Sequence, residues 1–374
     1  MKSMAMIMCI SLTLLCLTPM NSKSKTLDPR GIQFIPFRSF SAFKKLPGKI
    51  PSESVLTSPE IRTQIRWTEL IASWNAQTPA DGYLKVEVRA LHSDRATKWF
   101  TMGLWSGDPA RHPRESVRGQ KDADGYVNTD TLVLSEPADR IQVRVTLGGL
   151  GKSKPKLKFL SLSLLDAKNA PAALPPNRAA WGKTIDVPER SQMDYENGGV
   201  LCSPTTLSML LAYWSKQSKR PNLDRDVPEV VKGVYDPNWE GTGNWVFNTA
   251  YAGSLSGMRA YTTRLSDIAE LEDFVARGIP VGLSLCYNRL RGWSRVPSGH
   301  LVVCVGFTKD GDAVINDPGT SKNVRKIFPR ANLIDAWTFS KNAVYLIYPQ
   351  GIRVPKDRFG HWDSSASRKA ILVK

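Results

Sequence analysis

Residues 197–214 read NGGVLCSPTTLSMLLAYW and place a cysteine, Cys202, just before a predicted helix. Pro204 suits a first helical turn, where its missing N–H would have no partner. The apolar residues that follow recur at the spacing of one helix face, and they are Leu207, Leu210, Leu211 and Trp214. Unpaired N–H groups at a helix N-terminus stabilise a thiolate and lower the pKa of a cysteine there. Cys202 is therefore either a small core cysteine or a nucleophile, and the downstream sequence favours the nucleophile.

A histidine that can serve Cys202 opens a strongly apolar predicted strand further along the chain, at His300, and Asp317 closes the next strand. An antiparallel hairpin brings these two ends together. A turn centred on Thr308–Lys309 places His300 opposite Asp317, whereas one centred on Asp310–Gly311 shifts the register by several residues. A catalytic thiol needs a base, and the base needs an acceptor that fixes its tautomer. The sequence therefore predicts a grouping of these three side chains.

Four short motifs in this order resemble those of a known family. They are Gln192, Cys202-Ser203-Pro204-Thr205, Gly299-His300 and Asn316-Asp317-Pro318. From about residue 184 to residue 348 the chain resembles the papain-like cysteine peptidases of the bacteriocin-processing (double-glycine) peptidase group, in the version found without a transporter. The resemblance implies a papain-like α+β fold, with the nucleophile on a helix and the base on a sheet.

The resemblance also implies a role for each catalytic candidate. Cys202 would be the nucleophile, His300 the general base and Asp317 the group that orients it. Gln192 would donate to the oxyanion beside the backbone N–H of Cys202, and losing one such donor typically costs about 2.7–4 kcal/mol of transition-state stabilisation. No cofactor is required, and no Cys/His cluster has the spacing of a zinc site.

These residues predict an exported cysteine peptidase or amidase that hydrolyses a peptide or protein substrate through a thioester acyl-enzyme. An acyltransferase with the same triad is the nearest variant, because an amine can replace water in the second step. A different class of protein is the main alternative, namely a cell-surface binding protein with a degraded peptidase domain. Ser203 and Thr205 stand where the family usually has Gly and Ala, and Ser203 is the feature that supports this alternative.

The composition is that of a globular protein, with 41% hydrophobic and 23% charged residues over 374 residues. The formal charge is +17, from 51 Lys and Arg against 34 Asp and Glu. Such a surplus predicts attraction to anionic envelope polymers. The basic residues are spread along the chain with no nucleic-acid motif beside them, so no specific nucleic-acid binding is expected.

The N-terminus resembles an export signal. Lys2 precedes an apolar stretch at residues 4–17, which is too short for the roughly 20 residues of a membrane-spanning helix. We therefore expect a secreted, periplasmic or cell-envelope protein with no membrane span. Removing the signal leaves Cys202, Cys286 and Cys304, an odd number that requires at least one free thiol. The last two are interpreted as core residues or as a disulfide between neighbouring strands.

The chain is expected to form two domains, an all-β sandwich and then the papain-like α+β domain. Short alternating strands separated by Gly, Asp and Pro indicate the sandwich, and residues 61–165 are expected to fold alone. Its tryptophans either fill its core, which we favour, or stack on carbohydrate: Trp67, Trp74, Trp99 and Trp105. The predicted segments are a signal peptide (1–22), a linker or edge segment (23–60), the β-sandwich (61–166), a linker (167–180), the peptidase-like domain (181–350) and a basic C-terminal tail (351–374).

Overall fold

The computed structural model describes residues 28–149 and 154–369. The predicted signal peptide, residues 1–22, lies outside the described residues together with Cys9 and Cys16. In the described part of the chain, no helix is both long and apolar enough to cross a membrane. Strands alone build the first domain, and helices and strands build the second, which confirms the predicted α+β class.

The first domain, within residues 28–149 and 154–165, is a sheet of nine antiparallel strands. The strands are β1 (Ile32–Phe37), β2 (Lys44–Pro47), β3 (Ser54–Thr57), β4 (Ile61–Gln77), β5 (Gly82–Leu91), β6 (Phe100–Ser106), β7 (Gly125–Asn128), β8 (Thr131–Gly149) and β9 (Lys156–Leu165). Alternation along β5 buries Leu84, Val86 and Val88 on one face. Such an alternation gives each strand one apolar face for the core.

The sheet folds over on itself to make the sandwich. The pairing between β4 and β8 shifts register twice, near Trp67, and β8 pairs with β7 at its start but with β5 at its end. Trp74 of β4 packs against Trp105 of β6 with ring centroids 6.4 Å apart, although these strands do not pair with each other. Gly103 permits this packing, because a Cβ there would lie 2.8 Å from the Trp74 ring.

The segment before residue 61, predicted as a linker or an edge segment, contributes three strands to the sheet. All six residues of β1 are buried, and β1 pairs with β9 along its whole length. β1 and β2 lie at the two edges of the strand order, and β3 lies between β2 and β8. A domain that starts at residue 61 therefore leaves out three strands. Strand β7 and the start of β8 form a hairpin, with Thr129 at φ +56° in its turn.

The second domain contains a mixed set of elements around a sheet of seven strands. They are β10 (Lys183–Thr184), α1 (Cys202–Ser218), α2 (Val227–Val234), α3 (Trp245–Ser254), β11 (Met258–Arg264), α4 (Ile268–Ala276), β12 (Val281–Cys286), α5 (Tyr287–Leu290), β13 (Gly299–Phe307), β14 (Ala313–Asn316), β15 (Arg325–Phe328), α6 (Arg330–Thr338), β16 (Ala343–Pro349) and α7 (Ser365–Lys369). The strand order is β11-β16-β12-β13-β14-β15, with β10 beside β13. Helix α1 packs against β13, so the start of α1 faces the strand that carries His300.

The segment after residue 350, predicted as a basic tail, is packed against both domains. Trp362 and His361 are fully buried, and the His361 ring contacts Glu270 of α4. Asp363 is paired with Arg38 at 2.7 Å. The basic composition of this segment predicts a tail, but its few apolar and acidic residues anchor it to the rest of the protein.

The two domains share their cores. Phe247 of α3 lies in the apolar cluster of the sandwich, with its ring centroid 6.3 Å from that of Trp74. In the other direction, Phe34 of β1 packs 4.7 Å from Tyr261 of β11 in the cluster of the second domain. The interface is therefore part of the hydrophobic core, which is unlike the polar contact expected between loosely linked domains.

Candidate active site

The thiol of Cys202 is held at the first residue of α1, as the sequence predicts. No side chain caps this helix end. The His300 side chain and the backbone N–H groups of Leu301 and Ser203 lie close enough to the sulfur to lower the pKa of the thiol. Helix start and strand β13 therefore meet at this sulfur.

Burial and neighbouring charge shift the pKa values of Cys202 and His300 in opposite directions. Burial favours a neutral thiol, but the hydrogen bond and charge of His300 outweigh it and lower the pKa of Cys202. Burial likewise opposes protonation of His300, but contacts with Asp317 and Cys202 raise its pKa from 6.5 to about 9. Both shifts favour a thiolate–imidazolium pair between the lowered pKa of the thiol and about pH 9.

The hairpin that carries His300 and Asp317 adopts a register between the two predicted alternatives. Val303 of β13 lies opposite Asn316 of β14, and a bulge follows between Cys304 and Gly306. Asp317 is therefore not directly opposite His300 but diagonal to it. The carboxylate still reaches the imidazole, with His300 Nε2 2.8 Å from Asp317 Oδ1. Since Nε2 is engaged in this way, Nδ1 is the ring nitrogen left for the thiol.

Asp317 is fully buried and receives several donors. The backbone N–H of Gly319 donates to Oδ1 at 2.9 Å, and the Tyr287 hydroxyl donates to Oδ2 at 2.7 Å. Arg291 lies 3.7 Å from Oδ2. A carboxylate satisfied on both oxygens is fixed in orientation, and it fixes the His300 ring in turn.

Tyr287 and Arg291 were not predicted as site residues from the sequence. The Tyr287 ring packs on the His300 ring with centroids 4.0 Å apart. The guanidinium of Arg291 lies 3.8 Å from the centroid of the same Tyr287 ring. Both residues belong to α5 and the turn after it. No motif in the sequence marks either residue.

Gln192 lies in the same corner of the domain. Its backbone N–H donates to Pro318 O at 2.9 Å, so it adjoins the turn that carries Asp317. Its side-chain Nε2 donates to Gly198 O at 2.6 Å, four residues before Cys202. One N–H of the amide is thereby engaged and the other is left over. Among the described residues, Gln192 Oε1 is buried without a hydrogen-bond partner.

The two departures from the family motif point into the interior of the protein. Ser203 Oγ is hydrogen-bonded to Tyr345 Oη at 2.9 Å, and Ser203 is 1% exposed. Thr205 is fully buried, and its hydroxyl donates to Leu201 O at 2.8 Å. Neither side chain is available to occupy the space in front of the thiol.

The tryptophans weighed as sugar-stacking residues are core residues in three of four cases. Trp67 and Trp74 are fully buried and Trp105 is 4% exposed. Trp99 is half-buried, and the guanidinium of Arg144 lies 4.3 Å from its ring. The core interpretation therefore applies to Trp67, Trp74 and Trp105.

The remaining cysteines are free thiols in neighbouring strands. Cys286 lies opposite Gly299, whereas Cys304 lies opposite Val281. Their positions are five residues apart along β13, or roughly 17 Å, which is too far for a disulfide. Within residues 28–149 and 154–369, no three His, Cys, Asp or Glu side chains are grouped as a metal site would require.

The site can therefore carry out acyl chemistry with its own side chains. It contains a thiol with a lowered pKa, a base that faces it and a buried carboxylate that orients the base. This is the geometry of an activated nucleophile.

Two family models match separate parts of the chain. Residues 52–163 match the model of the peptidase C39 N-terminal domain, and residues 184–345 match the model of the peptidase C39-like family. No curated protein matches the chain at a significant level.

Two solved structures show limited similarity. One is a protein from Bacillus anthracis named as a candidate C39-like peptidase, with 18% identity over 46% of this chain and 99% of that chain and a TM-score of 0.35. The other is from work on carbohydrate-binding modules of the β-sandwich superfamily, with 9% identity over 38% of this chain and 60% of that chain and a TM-score of 0.18. At these TM-scores neither structure bears on the function. The family matches confirm the resemblance seen in the sequence: residues 52–163 are similar to a peptidase C39 N-terminal domain, and residues 184–345 are similar to the peptidase C39-like family.

Proposed function

We propose that this protein is an exported cysteine peptidase or amidase that acts through Cys202, His300 and Asp317. The observation that carries the proposal is the chain of contacts from the Cys202 thiol to the His300 ring and from that ring to the buried Asp317 carboxylate. A peptide is the substrate that the family supports best.

In the acylation step, the Cys202 thiolate attacks the carbonyl carbon of the scissile amide. The carbonyl oxygen becomes an oxyanion, which accepts from the backbone N–H of Cys202 and from the free N–H of the Gln192 amide. The His300 imidazolium gives its proton to the leaving nitrogen as the C–N bond breaks. A thioester on Cys202 and a free amine result.

In the deacylation step, neutral His300 takes a proton from water, and the resulting hydroxide attacks the thioester carbonyl. The C–S bond breaks, a carboxylic acid leaves, and the thiolate–imidazolium pair is restored. Asp317 keeps its hydrogen bond to the ring through both steps and stabilises the imidazolium by its charge. No cofactor takes part.

The test is hydrolysis of a library of internally quenched peptides by the parent and by Cys202→Ala. We expect the variant to lose all activity while its circular dichroism spectrum stays that of the parent, because alanine removes the sulfur and little packing. Cys304→Ala is the matched control, since it also removes a thiol, but one buried in the core four residues along β13 from His300. Equal hydrolysis by parent and Cys202→Ala would refute the proposal.

Experiments on the same two proteins distinguish the proposal from two rival functions. A degraded binding protein would show no rapid, selective alkylation of Cys202 by iodoacetamide below neutral pH. Its main support was Ser203, whose side chain is bonded to Tyr345 inside the core. An acyltransferase would release amide products in place of acids when a primary amine is added to the peptide assay.

Export and the positive charge belong to the same proposal. The apolar stretch at residues 4–17 supports removal of a signal peptide, which N-terminal sequencing of the protein recovered outside the cytoplasm would detect. The charge of +17 supports retention on anionic envelope polymers. Exposed charges are screened over about 8 Å at physiological ionic strength. Retention should therefore fall steeply with salt, and equally so for Cys202→Ala.

A further inference from the structure

A buried carboxylate organises the loop between α2 and α3, here named the cleft loop (residues 235–244). Asp236 is fully buried, and its Oδ1 accepts from the backbone N–H groups of Asn238 at 3.2 Å and Trp239 at 3.3 Å. Its Oδ2 accepts from the Asn244 side chain at 2.9 Å. These bonds fold the loop around one side chain.

The same carboxylate joins the cleft loop to the sandwich domain. Asp236 Oδ1 also accepts from the backbone N–H of Ser116 at 3.0 Å, and Ser116 O accepts from Asn238 Nδ2 at 2.7 Å. At the other end of the loop, Asp130 of the sandwich accepts from the backbone N–H of Trp245 at 2.7 Å. The sandwich therefore holds both ends of the loop.

The cleft loop also reaches the backbone beside the nucleophile. The Thr242 hydroxyl donates to Val200 O at 3.4 Å, two residues before Cys202 in the chain. Val200 is 70% exposed whereas Thr242 is 4% exposed, so this partly buried contact lies just beneath an exposed residue.

The loop presents a large apolar side chain. Trp239 is 46% exposed. It packs over Gly241 and Gly243, where an added Cβ would lie 2.7 Å from the indole in each case. The two glycines therefore let the indole lie flat on the loop, with its outer side open.

We propose that the sandwich domain builds one wall of the substrate cleft by holding the cleft loop beside Cys202, with Trp239 presented to an apolar side chain of the peptide. Asp236 is a positioning residue in this proposal, because it acts through the loop and not on the reacting atoms. The role of the wall rests on the proposed peptidase function, whereas the anchoring of the loop does not.

The test compares full-length Asp236→Asn with Glu69→Gln. Glu69 is the matched control, since it is also a buried carboxylate between the domains, paired with Arg264 at 3.0 Å and with Lys341. Asp236→Asn should speed amide hydrogen exchange in the cleft loop by about tenfold to a hundredfold, the range for loss of a hydrogen bond to a charged group. Glu69→Gln should leave that exchange at the parent rate, although it lowers Tm.

Kinetics on the best-cleaved fluorogenic peptide then test the wall. Asp236→Asn and Trp239→Ala should both raise KM about tenfold, with kcat and the rate of Cys202 alkylation by iodoacetamide near those of the parent. Glu69→Gln should keep the parent KM. Trp239→Ala removes an exposed ring, so it reports on the cleft even where Asp236→Asn is poorly folded.

Three results would overturn the proposal. Parent-like exchange of the cleft loop in Asp236→Asn would show that Asp236 does not anchor it. Parent-like KM in Trp239→Ala and Asp236→Asn would show that the loop is no wall of the cleft. A rise in KM for Glu69→Gln equal to that for Asp236→Asn would assign the effect to general loosening of the domains. A parent protein that cleaves no peptide would instead sink the proposed function, and the exchange comparison would still decide the anchoring.

Discussion

Replacement of Asp317 by asparagine removes a charge from the proposed triad and keeps the size of the side chain. The imidazolium of His300 is stabilised by this carboxylate through a hydrogen bond of 2.8 Å and through its charge. Together with the contact to Cys202, these effects outweigh burial and raise the pKa of His300 to about 9. Without the carboxylate, His300 should lose its proton at a lower pH.

The size of the change follows from the contact. An opposite charge at this distance usually moves a pKa by about 1–3 units, and part of the rise at His300 comes from Cys202. We therefore expect Asp317→Asn to lower the alkaline transition by about 1–2 pH units, which corresponds to roughly 1.4–2.7 kcal/mol. At pH 8.5, activity relative to each protein's own optimum should fall roughly three- to twentyfold below that of the parent.

The sign follows from the protonation state that the reaction needs. Leaving-group protonation requires the imidazolium, so activity is present below the pKa of His300 and is lost as the pH rises through it. Replacing Asp317 therefore lowers the upper limit of the pH range in which the enzyme is active. The acid limb, which reports ionisation of Cys202, should stay below the ordinary thiol range, because the imidazolium still lies beside the sulfur.

The assay is the pH dependence of kcat/KM on a fluorogenic peptide, which reports the ionisations of the free enzyme. The rate of Cys202 alkylation at pH 5 to 6 reports ionisation of the thiol without a substrate, and it should remain rapid in Asp317→Asn. Asp363→Asn is the control, because Asp363 is a buried carboxylate paired with Arg38 outside the site. An alkaline limb that stays near pH 9 in Asp317→Asn would refute the reasoning. So would an equal displacement in the control.

Three further outcomes are expected. Tyr287→Phe removes the hydroxyl that donates to Asp317 but keeps the ring, so steady-state kinetics should show kcat about tenfold lower, KM unchanged and a displaced pH profile. Ser203→Ala leaves the Tyr345 hydroxyl unpaired in the core, so urea unfolding should show a loss of about 1–3 kcal/mol with activity kept. A fragment of residues 61–165 lacks the first three strands of its sheet, so its circular dichroism should show no cooperative unfolding, whereas a cooperative transition would show those strands to be dispensable.

Short-range patterns made the core of the site predictable. The apolar spacing after Cys202 marks helix α1, which begins at this cysteine in the structure. The apolar run from His300 and the turn before Asp317 mark the hairpin, whose sheet pairing joins the two side chains. Each of these signals is local, whereas the prediction that Cys202 meets His300 rests on what a catalytic thiol requires and on the order of the family motifs.

Features that depend on distant partners could not be predicted. Strand β1 is one example, because its partner β9 lies more than a hundred residues later in the chain. Tyr287 is another, since its role comes from the fold of α5 against the hairpin and not from any motif. The same holds for Trp362, whose burial among distant elements turns a segment of basic composition into part of the structure.

Helix α3 connects the sandwich to the nucleophile. Phe247 on α3 lies in the sandwich core, 5.5 Å from Trp105, while the helix begins at Trp245, where the cleft loop ends. The first backbone N–H of the helix is bonded to Asp130 of the sandwich. A separable recognition domain would leave α3 with its own apolar partners, and removing it would leave the peptidase domain intact. Here its removal would expose Phe247 and release the end of the cleft loop, so the sandwich is better understood as a structural part of the proposed peptidase.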